Sequence, residues 1–312
     1  MDLSRITTAM NVQQLSESCV AIFGAGGSAG LATNLARCGV GHFKLFDFDR
    51  VSPANVSRQH HDAVDVGRTK CQALADAIRR INPDVVVEVI EGNFLEIAPA
   101  ILTAHVVAAN LLIFATDRFA AQAKGNELAL QHDKPAMWIG LYPGGTAGEI
   151  IFWHSEIDAC FRCLCAKRYE AHAVAAKKRE SLDPVSDGCT IFDITLLDAI
   201  AGMIGIGLMT RGSNDRFGRL IDKLGDRNFI QVQLDPSWSF GGGNPIRKYL
   251  GVADDCEAFF SWNAIVRADP DGGRECCCDC IQYRHHIFLD IHGIRIRTKP
   301  VDQAAELKSS LE

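Results

Sequence analysis

Residues 19–30 read Cys19-Val-Ala-Ile-Phe-Gly24-Ala25-Gly26-Gly27-Ser28-Ala29-Gly30, and residues 31–38 after them are apolar at helical spacing until Gly39 stops them. A short continuous apolar run ending in glycine is the pattern of a buried strand. Glycines after it let the backbone turn tightly and approach a phosphate, and the N-terminus of the next helix attracts the phosphate charge. Strand, glycine loop and helix in that order predict a nucleotide-binding α/β unit. A second apolar run, residues 42–48, carries Asp47 about 23 residues after Gly24, where an acid typically holds a ribose. So far the pattern also suits a nicotinamide dehydrogenase.

Outward from this unit, strands and helices alternate. Residues 69–81 have helical periodicity and end before Asn82-Pro83; residues 120–131 read as another helix. Residues 85–90, 111–115 and 136–141 read as strands. The alternation predicts an α/β fold with a Rossmann-like, doubly wound, mostly parallel sheet. The second half is less regular. Residues 148–153 read as a strand, and the polar residues 166–188 as an exposed crossing loop. Residues 191–209 read as a buried helix and not a membrane span, because Asp193 and Asp198 interrupt a glycine-rich stretch. Residues 229–234 and 259–266 read as late strands around a Gly241-Gly242-Gly243-Asn244 loop, and the tail after Pro300 as a surface helix or disordered segment. The expectation is one domain over 1–312, with a nucleotide-binding half at 1–157. The remainder, 158–312, would hold a metal site, the crossing loop, a core or dimer helix and C-terminal strands.

With 47% hydrophobic and 22% charged residues, the 312-residue chain can bury a full core. A formal net charge of −6 provides no general attraction for nucleic acid or acidic membranes. Residues 1–8 lack a signal-peptide layout, so the expectation is cytoplasmic. In that compartment twelve cysteines stay reduced, and their grouping points to metal. Cys160-Phe-Arg-Cys163 and Cys277-Cys278-Asp-Cys280 are two Cys-x-x-Cys units about 114 residues apart, a pairing that suits a closed tetrahedral Zn²⁺ site. Cys165, Cys276 and His285 are competing ligands. Cys19, Cys38 and Cys71 read as small core residues, and His60, His61, His285 and His286 as solvated surface.

The stretch Phe46-Asp47-Phe48-Asp49-Arg50-Val51-Ser52-Pro53-Ala54-Asn55-Val56-Ser57-Arg58-Gln59, followed by Gly67-Arg68-Thr69-Lys70, turns the reading away from a dehydrogenase. A hydride-transfer enzyme needs no cluster of Asn, Arg and Lys beside its dinucleotide. An adenylating enzyme needs one, because charge builds on the α-phosphate as a carboxylate attacks and fixed cations stabilise it. Asp117, after the fourth strand, stands where a carboxylate can hold Mg²⁺.

Glycine loop, Asp-x-Asp, Asn-x-x-Arg-Gln, Gly-x-x-Lys and Thr-Asp together resemble the signature of the ThiF/MoeB/ubiquitin-activating superfamily. The likeness runs from about Cys19 to Cys163 and resumes at the last cysteine pair. It implies ATP-dependent adenylation of the C-terminal carboxylate of a ubiquitin-like or sulfur-carrier protein ending in Gly, and then a thioester or thiocarboxylate. By the same resemblance, Gly24, Gly26 and Gly27 form the phosphate loop. Asp47, with Asp49 beside it, meets the ATP ribose; Asn55, Arg58 and Lys70 meet the phosphates, with Gln59 in support. Asp117 serves Mg²⁺ and the carboxylate. Zn²⁺ on Cys160, Cys163, Cys277 and Cys280, a homodimer, and a downstream conjugating enzyme as partner complete the picture that the resemblance implies. The chain departs from the family at Ala29, Arg118 and Gln122. It also lacks the N-terminal Arg-Tyr-x-Arg-Gln segment whose second arginine reaches ATP across a dimer, Arg5 being the nearest candidate. Two other readings stand beside this one: a tailoring enzyme for a short peptide or tRNA nucleoside, which would have the same ATP site, and an inactive scaffold half of a heterodimer, against which the retained Arg58, Lys70 and Asp117 argue. Cys189, ahead of the buried helix, is the expected acyl acceptor, with a thiol lowered by the helix dipole. Cys165 and Cys256 are next in line.

Overall fold

Strands β1 (Cys19–Phe23), β2 (His42–Asp47), β3 (Val86–Glu91), β4 (Leu111–Phe114) and β5 (Ala136–Leu141) lie parallel in the order 3-2-1-4-5. The sheet continues antiparallel through β6 (Ala147–Trp153), β7 (Phe229–Gln233) and β8 (Trp262–Ile265) to eight strands. This computed structural model describes residues 1–184, 187–235, 262–265, 276–284, 287–289 and 295–297. The expected glycine-rich loop at 241–244, His285, His286, Cys256 and the tail after Pro300 lie outside the described residues. A short antiparallel pair, β9 (Ile287–Leu289) and β10 (Arg295–Arg297), forms a second sheet.

Every residue of β1 and β4 is buried, as the continuous apolar runs require of strands covered on both faces. On one face, α2 (Ala29–Arg37) packs against α4 (Lys70–Ile81) and α9 (Ile191–Met209). On the other, α5 (Pro99–Ala108) packs on β1 and α6 (Phe119–Gln131) on β4 and β5. Register brings one aromatic from each of four strands into a row: Phe46 pairs with Phe23, Phe23 with Phe114 and Phe114 with Trp138. Their ring centroids are 4.4, 4.6 and 5.7 Å apart and all three pairs are stacked. Such pairs contribute about 0.5–1.5 kcal/mol each beyond burial. The row sits at the ends of the strands from which the glycine loop, Asp47 and Thr116 emerge, so it is a rigid floor under the site.

The crossing region differs from expectation. Residues 166–188 contain helix α8 (Ala166–Lys178), closed by Arg179 in the left-handed conformation, and only the described residues after it, 180–184 and 187–188, are irregular. Its polar sequence concealed it: Ala-rich and Lys-rich segments are strong helix formers without an apolar stripe. Two further helices, α5 and α10 (Arg216–Leu224), had no sequence expectation. Helix α9 is long and apolar enough to cross a membrane, yet 56% of its apolar window is buried against the protein. Its Asp198 is among the buried residues, accepting a hydrogen bond from Leu31 N at 2.9 Å.

Candidate active site

The order 3-2-1-4-5 reverses direction between β1 and β4, and ligands of such sheets bind beyond the strand ends at that reversal. A cavity of about 870 Å³ opens there. The glycine loop forms one side. Gly24 takes φ +103° and packs so closely on β4 that a Cβ would lie 2.3 Å from the Ala115 carbonyl oxygen. Its N–H bonds Phe46 O at 2.8 Å, and Ser28 Oγ returns to Gly24 O at 2.5 Å. Ala25 N donates to Asp47 Oδ2 at 2.7 Å, while Asp49 N donates to Asp47 Oδ1 at 2.8 Å. The N–H groups of Gly26, Gly27 and Ser28 have no acceptor among the described residues. Three consecutive free amides just before helix α2 make a ready anion nest.

Facing the loop are the residues expected from the Asn-x-x-Arg-Gln and Gly-x-x-Lys motifs. Asn55 is the third residue of the short helix α3 (Pro53–Val56), where its Oδ1 accepts from Ser52 N at 2.8 Å and Ser52 Oγ at 3.0 Å. That consumes the acceptor and leaves the amide NH₂ as donor. Lys70 opens α4, which Thr69 caps; it is 9% exposed and its Nζ lies 2.9 Å from Asp49 Oδ2. Gln59 is 8% exposed, and its Oε1 has no partner among the described residues, an orphaned acceptor in the cavity wall. Arg58 and Asp117 line the same cavity, and Asp117 accepts no hydrogen bond from the described residues. All the expected nucleotide-site residues, Gly24, Gly26, Gly27, Asp47, Asp49, Asn55, Arg58, Gln59, Lys70 and Asp117, therefore line one cavity. The departures have local reasons. Gln122 Nε2 bonds Thr116 O at 2.8 Å, tying the Thr-Asp loop to α6, and the Arg118 guanidinium lies 5.2 Å from the Phe48 ring centroid.

The opposite wall is a polar network that no motif announced. Arg168 on α8 grips Glu149 on β6 through two contacts, of 2.7 and 2.9 Å. Tyr142 Oη donates to Glu149 Oε2 at 3.0 Å and accepts from Gln231 Nε2 at 3.1 Å. Burial, with the Glu149 charge beside it, pushes the Tyr142 hydroxyl above its ordinary value. The only hint in the sequence was an acid, Glu149, inside an otherwise apolar strand. After α8 the chain returns over α6, where Phe119 N donates to Asp183 Oδ1 at 2.9 Å and Phe119 stacks on His172 at 3.9 Å.

Cys189 lines the cavity from the end of this return, half-buried. Its expected low pKa is corrected by the structure. Burial, and then the nearby Asp193 carboxylate, push the thiol up from its ordinary value. The helix N-terminus is already occupied: Thr190 N and Oγ1 both donate to Asp193 Oδ2, at 2.7 and 2.8 Å. The thiol sits outside this capping box and receives no benefit from it. His61 is a second correction. It is 4% exposed, not solvated, and lies beneath the glycine loop.

Farther off, Cys160, Cys163, Cys277 and Cys280 bring their sulfurs within 4.8 Å of one another. Individual S–S separations are 3.5, 3.7 and 3.8 Å. A Zn–S bond of about 2.3 Å places tetrahedral sulfurs roughly 3.8 Å apart, so the cluster fits Zn²⁺. The competing Cys165 is buried elsewhere, its thiol pushed up to about 12 by burial. Asp279, inside the second knuckle, accepts from Asn126 of α6 and Arg162, both at 2.8 Å. Arg284 bonds the carbonyls of Ser155, Ile157 and Asp158 at 2.7–3.0 Å. These contacts seat α11 (Cys278–Tyr283) on the body of the fold.

Comparison with known proteins agrees with this geometry. A family model described as "ThiF family" matches residues 1–213. "Ubiquitin-like modifier-activating enzyme 5" of Bombyx mori is 30% identical over 172 residues, 52% of this chain and 44% of that protein. "Probable adenylyltransferase/sulfurtransferase MoeZ" of Mycobacterium tuberculosis is 35% identical over 149 residues, 47% of this chain and 37% of that protein. The matched stretches thus span less than half the length of these relatives. Among solved structures, E. coli MccB with ATP superposes at TM-score 0.57 with 13% identity, covering 85% of this chain and 68% of that one. PaaA superposes at 0.55 with 21% identity and 72% coverage of each chain. At these identities the structural likeness speaks for the fold alone.

Proposed function

The chain belongs to the ThiF family, and from that premise we propose that it uses ATP to adenylate a carboxylate at the C-terminus of a protein or peptide. The observation that carries this reading is the single cavity in which free loop amides, Asn55, Arg58, Lys70 and Asp117 converge. A dehydrogenase has no use for that concentration of donors around a phosphate. In the reaction, a substrate carboxylate oxygen forms a bond to the α-phosphorus. The bond to the bridging oxygen breaks, and pyrophosphate leaves with the electron pair. The free amides of residues 26–28 and the Asn55 NH₂ hold phosphate oxygens, while Arg58 and Lys70 stabilise the charge that grows during transfer. Lys70 is pre-positioned by Asp49, so little reorganisation precedes its use. Asp117 has an uncommitted carboxylate suited to Mg²⁺, which would neutralise phosphate charge. The orphaned Gln59 Oε1 accepts an O–H or N–H of a bound ligand. The four sulfurs would hold Zn²⁺ as a structural ion, a role in folding and not in the reaction.

The substrate class follows the relatives. We favour a ubiquitin-like or sulfur-carrier protein ending in Gly, with a short peptide as the alternative. Cys189, in the cavity wall, would then attack the acyl carbon of the adenylate as thiolate; the C–O bond to AMP breaks, AMP leaves with the electron pair, and a thioester remains. Two copies of the chain would pair, with the 81%-exposed Phe192 of α9 as a candidate contact. The test is ATP–pyrophosphate exchange with a Gly-terminated carrier, the same carrier amidated at its C-terminus, and a short peptide acid. Exchange should need a free carboxylate, and R58A, K70A and D117A should each lower it about 10²–10³-fold. Exchange at the parent rate in all three variants would sink the assignment.

A further inference from the structure

Beneath the glycine loop, the two peptide units that flank Ala25 are held by groups that no sequence motif assigns together. Ala25 is fully buried; its N–H bonds Asp47 Oδ2 at 2.7 Å, and its carbonyl oxygen lies 3.0 Å from His61 Nε2. A carbonyl can only accept, so Nε2 carries the proton. Burial lowers the pKa of His61, which keeps the ring neutral with a single N–H to place there. A trans peptide is planar, with its C=O and N–H pointing in opposite directions. Holding Ala25 C=O down against His61 therefore aims Gly26 N–H away from the protein interior, on the side of the loop that lines the cavity. Asp47 alone cannot do this, because it grips the preceding peptide. We infer that His61 is a positioning residue for the phosphate nest, setting the direction of the Gly26 amide without touching the nucleotide.

This inference rests on the ATP-site reading above, and the experiment separates the two. Titration calorimetry compares ATP with adenosine, which lacks every phosphate, for the parent, H61F and H61Q. H61F keeps a ring under the loop but has no donor; H61Q restores an N–H with similar reach. H61F should weaken ATP by about tenfold, the loss of one well-aimed hydrogen bond, with adenosine unchanged. H61Q should return ATP affinity to within about threefold of the parent. Equal losses for ATP and adenosine would mean that the ring only packs the loop, and that would overturn the inference. So would H61F binding ATP like the parent, or H61Q failing as badly as H61F. A parent protein with no ATP affinity overturns the site reading and this inference together. If H61F does not fold, H61L carries the same comparison.

Discussion

Glu149 and Arg168 offer a quantitative check on how the crossing region is held. Removing one member of a buried ion pair strands the other, at a cost of about 3–5 kcal/mol. The two partners are unequally buried, with side-chain exposures of 6% for Glu149 and 30% for Arg168. Stranding the carboxylate is therefore worse than stranding the guanidinium, which can reach water. We predict that R168M loses about 4 kcal/mol and E149L about 2–3 kcal/mol, the Tyr142 hydroxyl softening the first by its remaining hydrogen bond. The double variant E149L/R168M removes both charges and should lie within about 1–2 kcal/mol of the parent, because a well-packed apolar pair avoids the desolvation cost. The assay is urea unfolding followed by the fluorescence of buried Trp138 and Trp153. A double-mutant cycle then reads the coupling directly. If the double variant is as unstable as the two single losses added together, the pair is not the clamp described here. The same holds if R168M is the milder single change. The clamp also bears on the site, since Arg168 and His172 share α8 and line the cavity.

The remaining predictions concern the metal, the loop and the thiol. Elemental analysis should find one Zn²⁺ per chain, and C163A or C280A should release it; zinc-free protein purified without chelators would reject the cluster as a metal site. Chelation should lower the melting temperature and speed hydrogen exchange in residues 276–284 while ATP affinity holds, because the sulfurs lie outside the cavity lining. G24A should lose stability by about 2 kcal/mol or more through its positive φ and the clash with Ala115 O. G27A, with nothing within 4 Å of its added Cβ, should fold like the parent; equal melting of both would contradict the loop geometry. Cys189 should react with iodoacetamide more slowly than free cysteine at neutral pH. Its thiol is raised by burial, so the thiolate fraction should still climb above pH 9.0. A fast reaction at neutral pH would show that burial does not control it.

Local chemistry made much of this protein legible in the linear chain. Cys19 to Phe23 could only be a buried strand, and glycine is needed at Gly24, where φ is positive and β4 passes too close for a side chain. Motif residues such as Asn55, Arg58 and Lys70 could be picked out because phosphate chemistry needs donors of those types and here they lie close together in sequence. The cysteine pairs were legible because four thiolates at that spacing have one common use. What the chain hid was set by contacts between distant residues. Nothing near His61 in sequence says that it turns under Ala25, because that depends on how α2 and the segment after α3 meet. Glu149 and Arg168 are 19 residues apart and find each other only when α8 folds across β6. The Cys189 thiol was misjudged for the same reason: its pKa follows burial and the Asp193 carboxylate, and both are consequences of where the return loop settles. Short-range pattern reports backbone geometry and shared ligands; desolvation and charge pairing depend on three-dimensional neighbours, and only the folded chain decides those.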